Sequence, residues 1–279
     1  MSWTVFRKNK GITLIELLIV LVLSSILIAA LYRMFISQQK TYTVQEQVVD
    51  MQQNVRFAMD QMAREIRMTG YGKNILYTYG NVNGFTKVIT AVNNANLIGK
   101  SDDSITIITA NEVAKLTQNA AKGSLQLDVS SGNEFDNDKK KYLYLDGSNG
   151  YLVQSVSGNT VTLTIPLTED HLENEPVFLV KAVTYKLQWD NTDPAMPVLV
   201  KDENTGSGGQ VIADYVENLQ FRYTLSDGTV TDSPSNPENI RIVRVSVTAR
   251  TKMTDPELSG DGYRRRELAS DIKVRNLGL

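Results

Sequence analysis

The sequence predicts an α+β protein in which one long N-terminal helix, membrane-spanning at first and amphipathic afterwards, packs on a β-rich C-terminal globular domain. Three observations predict it: an apolar run from Ile12 to Leu31, apolar residues recurring at helical spacing as far as Ile66 with no proline in residues 12–69, and β-branched alternating segments from Ser104 onward. The 279 residues are 42% hydrophobic and 22% charged, enough for a sizeable core. The 29 Lys and Arg nearly cancel the 31 Asp and Glu, so no global field draws the chain to nucleic acid. With no cysteine, disulfides, Cys-ligated zinc, iron–sulfur clusters and thiol nucleophiles are excluded, and a single histidine leaves little for His-based catalysis or metal binding. Neither a cofactor nor an enzymatic activity is expected.

Residues 1–11 contain Arg7, Lys8 and Lys10 and no acid, and the apolar run behind them is broken only by Thr13, Glu16, Ser24 and Ser25. About 20 helical residues span roughly 30 Å, the thickness of a bilayer's hydrocarbon core. The basic flank should stay cytoplasmic, which exports everything after Leu31. A cleavable signal peptide is the competing reading, but its apolar region is shorter and free of acids, and Ala29-Ala30 only weakly resembles a cleavage site. Glu16 stands against it, because a carboxylate at mid-bilayer costs about 2–3 kcal/mol and is a functional candidate by default. The bland reading of Glu16 is a side chain that snorkels to the interface.

Behind its basic leader, Gly11-Ile12-Thr13-Leu14-Ile15-Glu16 resembles the class III signal of type IV prepilins. The resemblance implies that a dedicated prepilin peptidase cuts between Gly11 and Ile12, that Ile12 becomes the methylated N-terminus where most members have Phe, and that the apolar helix stays in the mature chain. It also implies that Glu16 pairs with the N-terminal amine of a neighbouring subunit, and that Leu14, Leu17, Leu18, Val20 and Leu21 pack in the membrane and then in the filament. Opposite charges about 4 Å apart attract by roughly 4 kcal/mol at an effective dielectric near 20, which offsets much of the cost of burying Glu16.

Beyond the apolar run, Val44, Val48, Met51, Val55, Met59, Met62 and Ile66 fall on one helical face, with Arg56, Asp60 and Arg64 on another. Arg64 and Arg67 lie in the last turns and Gly70 follows, a pattern that ends a helix with a left-handed glycine cap. One helix over 12–69, of about 57 residues and roughly 85 Å, is predicted, with 12–31 in the membrane. A separate coiled-coil stalk has too few sustained apolar repeats to be preferred. Ala63, Arg64, Ile66, Arg67, Gly70 and Tyr71 resemble the helix-end signature of PilW-like minor pilins; without that likeness they read as a capped helix terminus and a loop aromatic.

Residues 70–279 form the predicted exported domain. The Asn- and Gly-rich stretch 71–100 reads as a long, poorly ordered loop. Strands are predicted over Ser104–Thr109, Tyr142–Asp146, Tyr151–Val156 and Thr160–Ile165, the last three as a meander with turns at 147–150 and 157–159. Further strands are expected at Val177–Gln188, Val198–Lys201, Leu219–Leu225, Ile240–Ala249 and Ile272–Arg275. Within Ile240–Ala249 the apolar alternation slips by one residue, which predicts a bulge or burial on both faces. Residues 213–223, 240–250 and 264–277 also resemble PilW-like minor pilins, with a related order in the J-type minor pseudopilin of type II secretion.

Other clusters carry weaker readings. Glu169, Asp170, Glu173 and Glu175 around His171 suggest a metal or acid–base pair, against a solvated loop before Pro176. Asp136-Asn137-Asp138 lacks the glycine and distal Glu of a calcium loop. Gly206-Ser207-Gly208-Gly209 fits a hairpin tip better than a phosphate loop. Arg264-Arg265-Arg266 could touch a pilus partner or DNA, though a run of three is usually a solvated strand face. Tyr77 and Tyr79 are candidate adhesive aromatics, or ordinary surface rings.

The resemblance implies a minor pilin of a type IV pilus, resident in the inner membrane and then at the pilus tip. Its partners would be other minor pilins, the major pilin, the prepilin peptidase, the inner-membrane assembly platform and a tip adhesin. A tip subunit of a type II secretion pseudopilus is the alternative within the same superfamily, and a membrane-anchored binding domain is the alternative outside it.

Overall fold

A computed structural model describes residues 12–95, 97–99, 101–135, 141–145, 150–193 and 195–277. Helix α1 (Leu14–Met68) begins two residues after the expected position and ends one residue before it. The chain divides into two compact units, residues 1–49 and 50–279. In the first, α1 is long and apolar enough to cross a membrane, and none of its apolar stretch is buried against protein. In the second, α1 buries Met51, Val55, Ala58, Met59, Met62, Ala63 and Ile66, while Arg56, Asp60 and Arg64 stay exposed, as the periodicity predicts.

The end of α1 departs from expectation. Gly70 is left-handed (φ 86°), but its N–H donates to the Ile108 carbonyl (2.9 Å) instead of folding back onto the helix. Two of the last carbonyls are met from the C-terminal segment: Arg275 N–H donates to Arg67 O (3.3 Å) and Asn276 Nδ2 to Met68 O (3.3 Å). A Cβ at Gly70 would lie 2.8 Å from Leu277 Cδ2 and 3.3 Å from the Asn276 carbonyl oxygen, and the left-handed φ of 86° disfavours any other residue there.

The nine-stranded sheet comprises β1 (Ile89–Val92), β2 (Ser104–Lys115), β3 (Gln126–Asp128), β4 (Tyr142–Leu145), β5 (Gly150–Ser157), β6 (Thr160–Leu163), β7 (Pro176–Trp189), β8 (Pro197–Asp202) and β9 (Gln210–Asp214). Its order is β1-β2-β7-β4-β5-β6-β3, with β8 also on β7 and β9 on β8. The predicted meander is present as β4–β5–β6. The central β7 pairs with β2 along one side and, on the other, with β4 at Val177–Val180 and β8 at Thr184–Trp189. Between those partners Asn204 Nδ2 donates to Ala182 O (3.0 Å) and Thr184 Oγ1 (2.9 Å), satisfying groups that neither strand reaches.

The second sheet orders β11 (Val230–Thr231), β10 (Val216–Leu225), β12 (Ile240–Arg250) and β13 (Arg265–Lys273) side by side, and all strand pairs in both sheets are antiparallel. Val243, Val245 and Val247 on β12 and Leu219, Phe221 and Tyr223 on β10 are buried in register. The slipped alternation is a bulge, since Thr224 pairs with Ile242 and Leu225 with Ile240, leaving Arg241 as the extra residue. Asp103 ties the sheets together: its N–H donates to Leu219 O (2.8 Å) and its carboxylate accepts from Phe221 N–H (2.9 Å).

Two expectations are corrected. The stretch 71–100 holds helix α2 (Asn74–Tyr79) and β1, and it buries Ile75, Val82, Val88, Ile89 and Ile98. Its asparagines and glycines are the turns between short packed elements, not the sign of a loose loop. The last strand is Arg265–Lys273, earlier and longer than Ile272–Arg275, because pairing with β12 extends over residues of which Ile272 alone is fully buried. Asp136-Asn137-Asp138 and the turn residues 147–149 lie outside the described residues.

Candidate functional site

The N-terminal site is built on the first turn of α1. Thr13 and Glu16 form a reciprocal capping box: the Glu16 N–H donates to Thr13 Oγ1 (3.3 Å), and the Thr13 N–H and hydroxyl both donate to Glu16 Oε2 (2.9 Å each). Sequence reasoning missed this box, which the Thr-x-x-Glu spacing could have revealed, and it gives Glu16 a local role that the charge argument alone does not contain. Ile12, Leu14, Leu17, Leu18, Val20 and Leu21 are all more than half exposed, a fully apolar surface with no protein cover. Ser25 donates its hydroxyl to Leu21 O (2.7 Å), so it leaves no free donor in that surface. Gly11 lies outside the described residues.

A second constellation fastens the C-terminal turns of α1 to the nine-stranded sheet. Buried Glu65 accepts from Tyr185 Oη on β7 (2.7 Å, at Oε2) and from Lys201 Nζ on β8 (2.5 Å, at Oε1). Lys201 also pairs with Glu203 (3.3 Å), which takes Lys181 Nζ at 2.5 Å. Burial works against the charge on Lys201, yet its bonds to Glu65 and Glu203 hold its ammonium above the ordinary lysine value. Burial likewise opposes ionisation of Glu203, but Lys181 and Lys201 outweigh it and hold the carboxyl below the usual range. Burial, then the charge of Glu65, pushes the Tyr185 phenol far up. Sequence reasoning missed Glu65, although its place three residues after Met62 put it on the rim of the buried face.

The weaker clusters resolve differently. His171 is buried, with Nδ1 2.8 Å from Glu175 Oε1 and a backbone bridge to Ala120, while Glu169, Asp170 and Glu173 are exposed. The loop is therefore anchored rather than freely solvated. Among the described residues no group of three His, Asp or Glu side chains is placed to hold a metal ion. Arg264 pairs with Asp255 (2.6 Å) and Arg265 with Glu217 (2.6 Å) and Asp261 (2.5 Å), which neutralises most of the basic run. Glycines 206, 208 and 209 sit in the connection between β8 and β9, as a hairpin tip should. Tyr79 is structural, accepting from Leu152 N–H (2.9 Å) and packing edge-on against Tyr142, whereas Tyr77 is 73% exposed.

Residues 6–32 match the family model of the prokaryotic N-terminal methylation motif. No curated protein matches the chain. Among solved structures it is similar to the Gp54 tailspike of Acinetobacter baumannii bacteriophage AP22, in complex with A. baumannii capsular saccharide, at 19% identity and a TM-score of 0.23. That likeness covers 26% of this chain and 15% of the tailspike, and it carries no argument about fold or function.

Proposed function

We infer that the chain is a minor pilin of a type IV pilus, made as a prepilin, cut between Gly11 and Ile12, methylated on Ile12 and assembled with other minor pilins to initiate and cap the filament. The observation that carries the reading is the N-terminal methylation motif at residues 6–32, which supports a type IV pilin- or pseudopilin-like protein and is consistent with membrane anchoring. In this reading the apolar surface from Ile12 to Leu31 has two solvents in turn, the bilayer and then the helices of neighbouring subunits. Glu16 holds Thr13 with Oε2, while Oε1 takes no hydrogen bond among the described residues and is left for a subunit's N-terminal amine. The β-rich domain, larger than major pilins usually carry, suits a low-copy subunit at the tip, in contact with a tip adhesin.

Replacing Glu16→Ala tests the assembly role. Incorporation of this subunit and the number of pili per cell should fall at least tenfold while the chain remains in the membrane. Unchanged pilus number and incorporation would overturn it. The same motif serves a type II secretion pseudopilus, and deleting the gene separates the two: lost pili support the first reading, lost protein secretion with intact pili the second.

A further inference from the structure

Strand β13 is an edge of the four-stranded sheet, and at 9 residues it is the longest open edge among the described strands, against 4 for β1, 3 for β3, 5 for β9 and 2 for β11. Its pairing with β12 runs without a register shift from Arg250↔Arg265 to Ile242↔Lys273. Just beyond each end, Thr251 N–H donates to Arg264 O (2.9 Å) and Val274 N–H to Arg241 O (3.0 Å). Hydrogen-bonded pairs alternate in an antiparallel ladder, so even-numbered residues of β13 bond to β12, and Arg265, Glu267, Ala269, Asp271 and Lys273 aim their N–H and C=O groups at the open edge. The even-numbered side chains face α1, and Leu268 lines a groove of about 200 Å³ with Met51, Gln52, Val55, Arg56, Arg266 and Glu267. Arg56 and Arg266 are exposed and, unlike Arg264 and Arg265, form no ion pair among the described residues.

We propose that the open edge of β13 and this groove form a docking site for an extended strand of another exported subunit, one with alternating aliphatic side chains and a carboxylate. Main-chain bonds to the odd-numbered residues supply affinity, and side chains on the inner face of the added strand enter the groove. There they meet an apolar floor of Met51, Val55 and Leu268 beside the guanidinium groups of Arg56 and Arg266, which outnumber the groove's one carboxylate, Glu267, and which a further carboxylate complements. A second copy of this chain is the wrong occupant: in any register that uses the open edge of both strands its β13 would turn Arg266, Leu268, Ser270 and Ile272 to the groove, an arginine and no carboxylate. The identity of the partner as an exported subunit rests on the pilin reading above.

The test is amide hydrogen exchange on the full chain, purified alone in detergent and again after co-expression with the prepilin peptidase and the individually tagged methylation-motif subunits of its host. In the chain alone, the amides of Glu267, Ala269 and Asp271 should exchange quickly beside slow even-numbered neighbours; in the complex they should slow at least tenfold. Ala269→Pro, which removes an edge N–H that β12 does not use, should cut co-purification at least tenfold at unchanged melting temperature. Arg266→Glu should also weaken co-purification, and carries the test should the proline variant fold poorly. The proposal is overturned by tagged subunits that bind without slowing these amides, by a processed chain that captures none of them, or by a homodimer that Ala269→Pro dissolves. A chain that keeps Met1 in the presence of the peptidase overturns the pilin reading itself, whatever β13 does.

Discussion

Tyr185 and Tyr223 are both fully buried phenols, and their hydroxyls meet opposite circumstances. Tyr185 donates to the Glu65 carboxylate, whereas Tyr223 Oη has no hydrogen-bond partner among the described residues, and burial pushes both phenols up. Tyr185→Phe leaves a buried carboxylate short of a donor and should cost about 1–3 kcal/mol, while Tyr223→Phe removes only a desolvated hydroxyl and should be neutral or stabilising; chemical denaturation of the two variants checks both. Acid and alkali should act on the same network from opposite sides. The lowered pKa of Glu203 gives stability that is present above the usual carboxylate pKa and lost as pH falls through the depressed one. The raised pKa of Lys201 gives stability that is present below the usual lysine pKa and lost as pH rises through the elevated one. Melting temperature should therefore be level between about pH 6 and pH 9 and decline on either side, with a shallower acid decline in Glu203→Gln. None of this was legible beforehand, because the partners of Glu65 lie 120 and 136 residues away in the chain and a helical wheel shows only that a carboxylate borders the apolar face.

At the scale of elements, legibility followed the length of the local pattern. Helix α1 repeats its apolar spacing over many turns, so its extent and buried face could be read directly, and the slipped alternation at Ile240 announced a bulge that is present. Helix α2 has 6 residues, too few for a period to emerge, and its position is set instead by a contact across the fold. A Cβ built on Gly150 falls 1.8 Å from Ile75 Cγ1, so the start of β5 and the first turn of α2 meet where only glycine fits. Gly150→Ala should cost about 1–3 kcal/mol by overpacking, and hydrogen exchange should show protection lost first across residues 74–79. Strand β13 was misplaced for a related reason, since most of its residues are exposed and charged and its existence depends on β12 rather than on its own alternation.

For the whole molecule, a short local code and a long non-local fold sit in one chain. The methylation motif occupies residues 6–32 and could be read without knowing anything else, because both its leader and its apolar run are patterns of contiguous residues. The sheet order could not, because β7 lies between β2 and β4 and also holds β8, pairings that no local pattern encodes. Processing and assembly as a pilin leave their mark on the N-terminus, which intact mass with N-terminal sequencing reads in cells with and without the prepilin peptidase. A mature chain beginning at N-methylated Ile12 should appear only when the peptidase is present. A chain that retains Met1, or one cut after Ala30, would contradict the pilin reading.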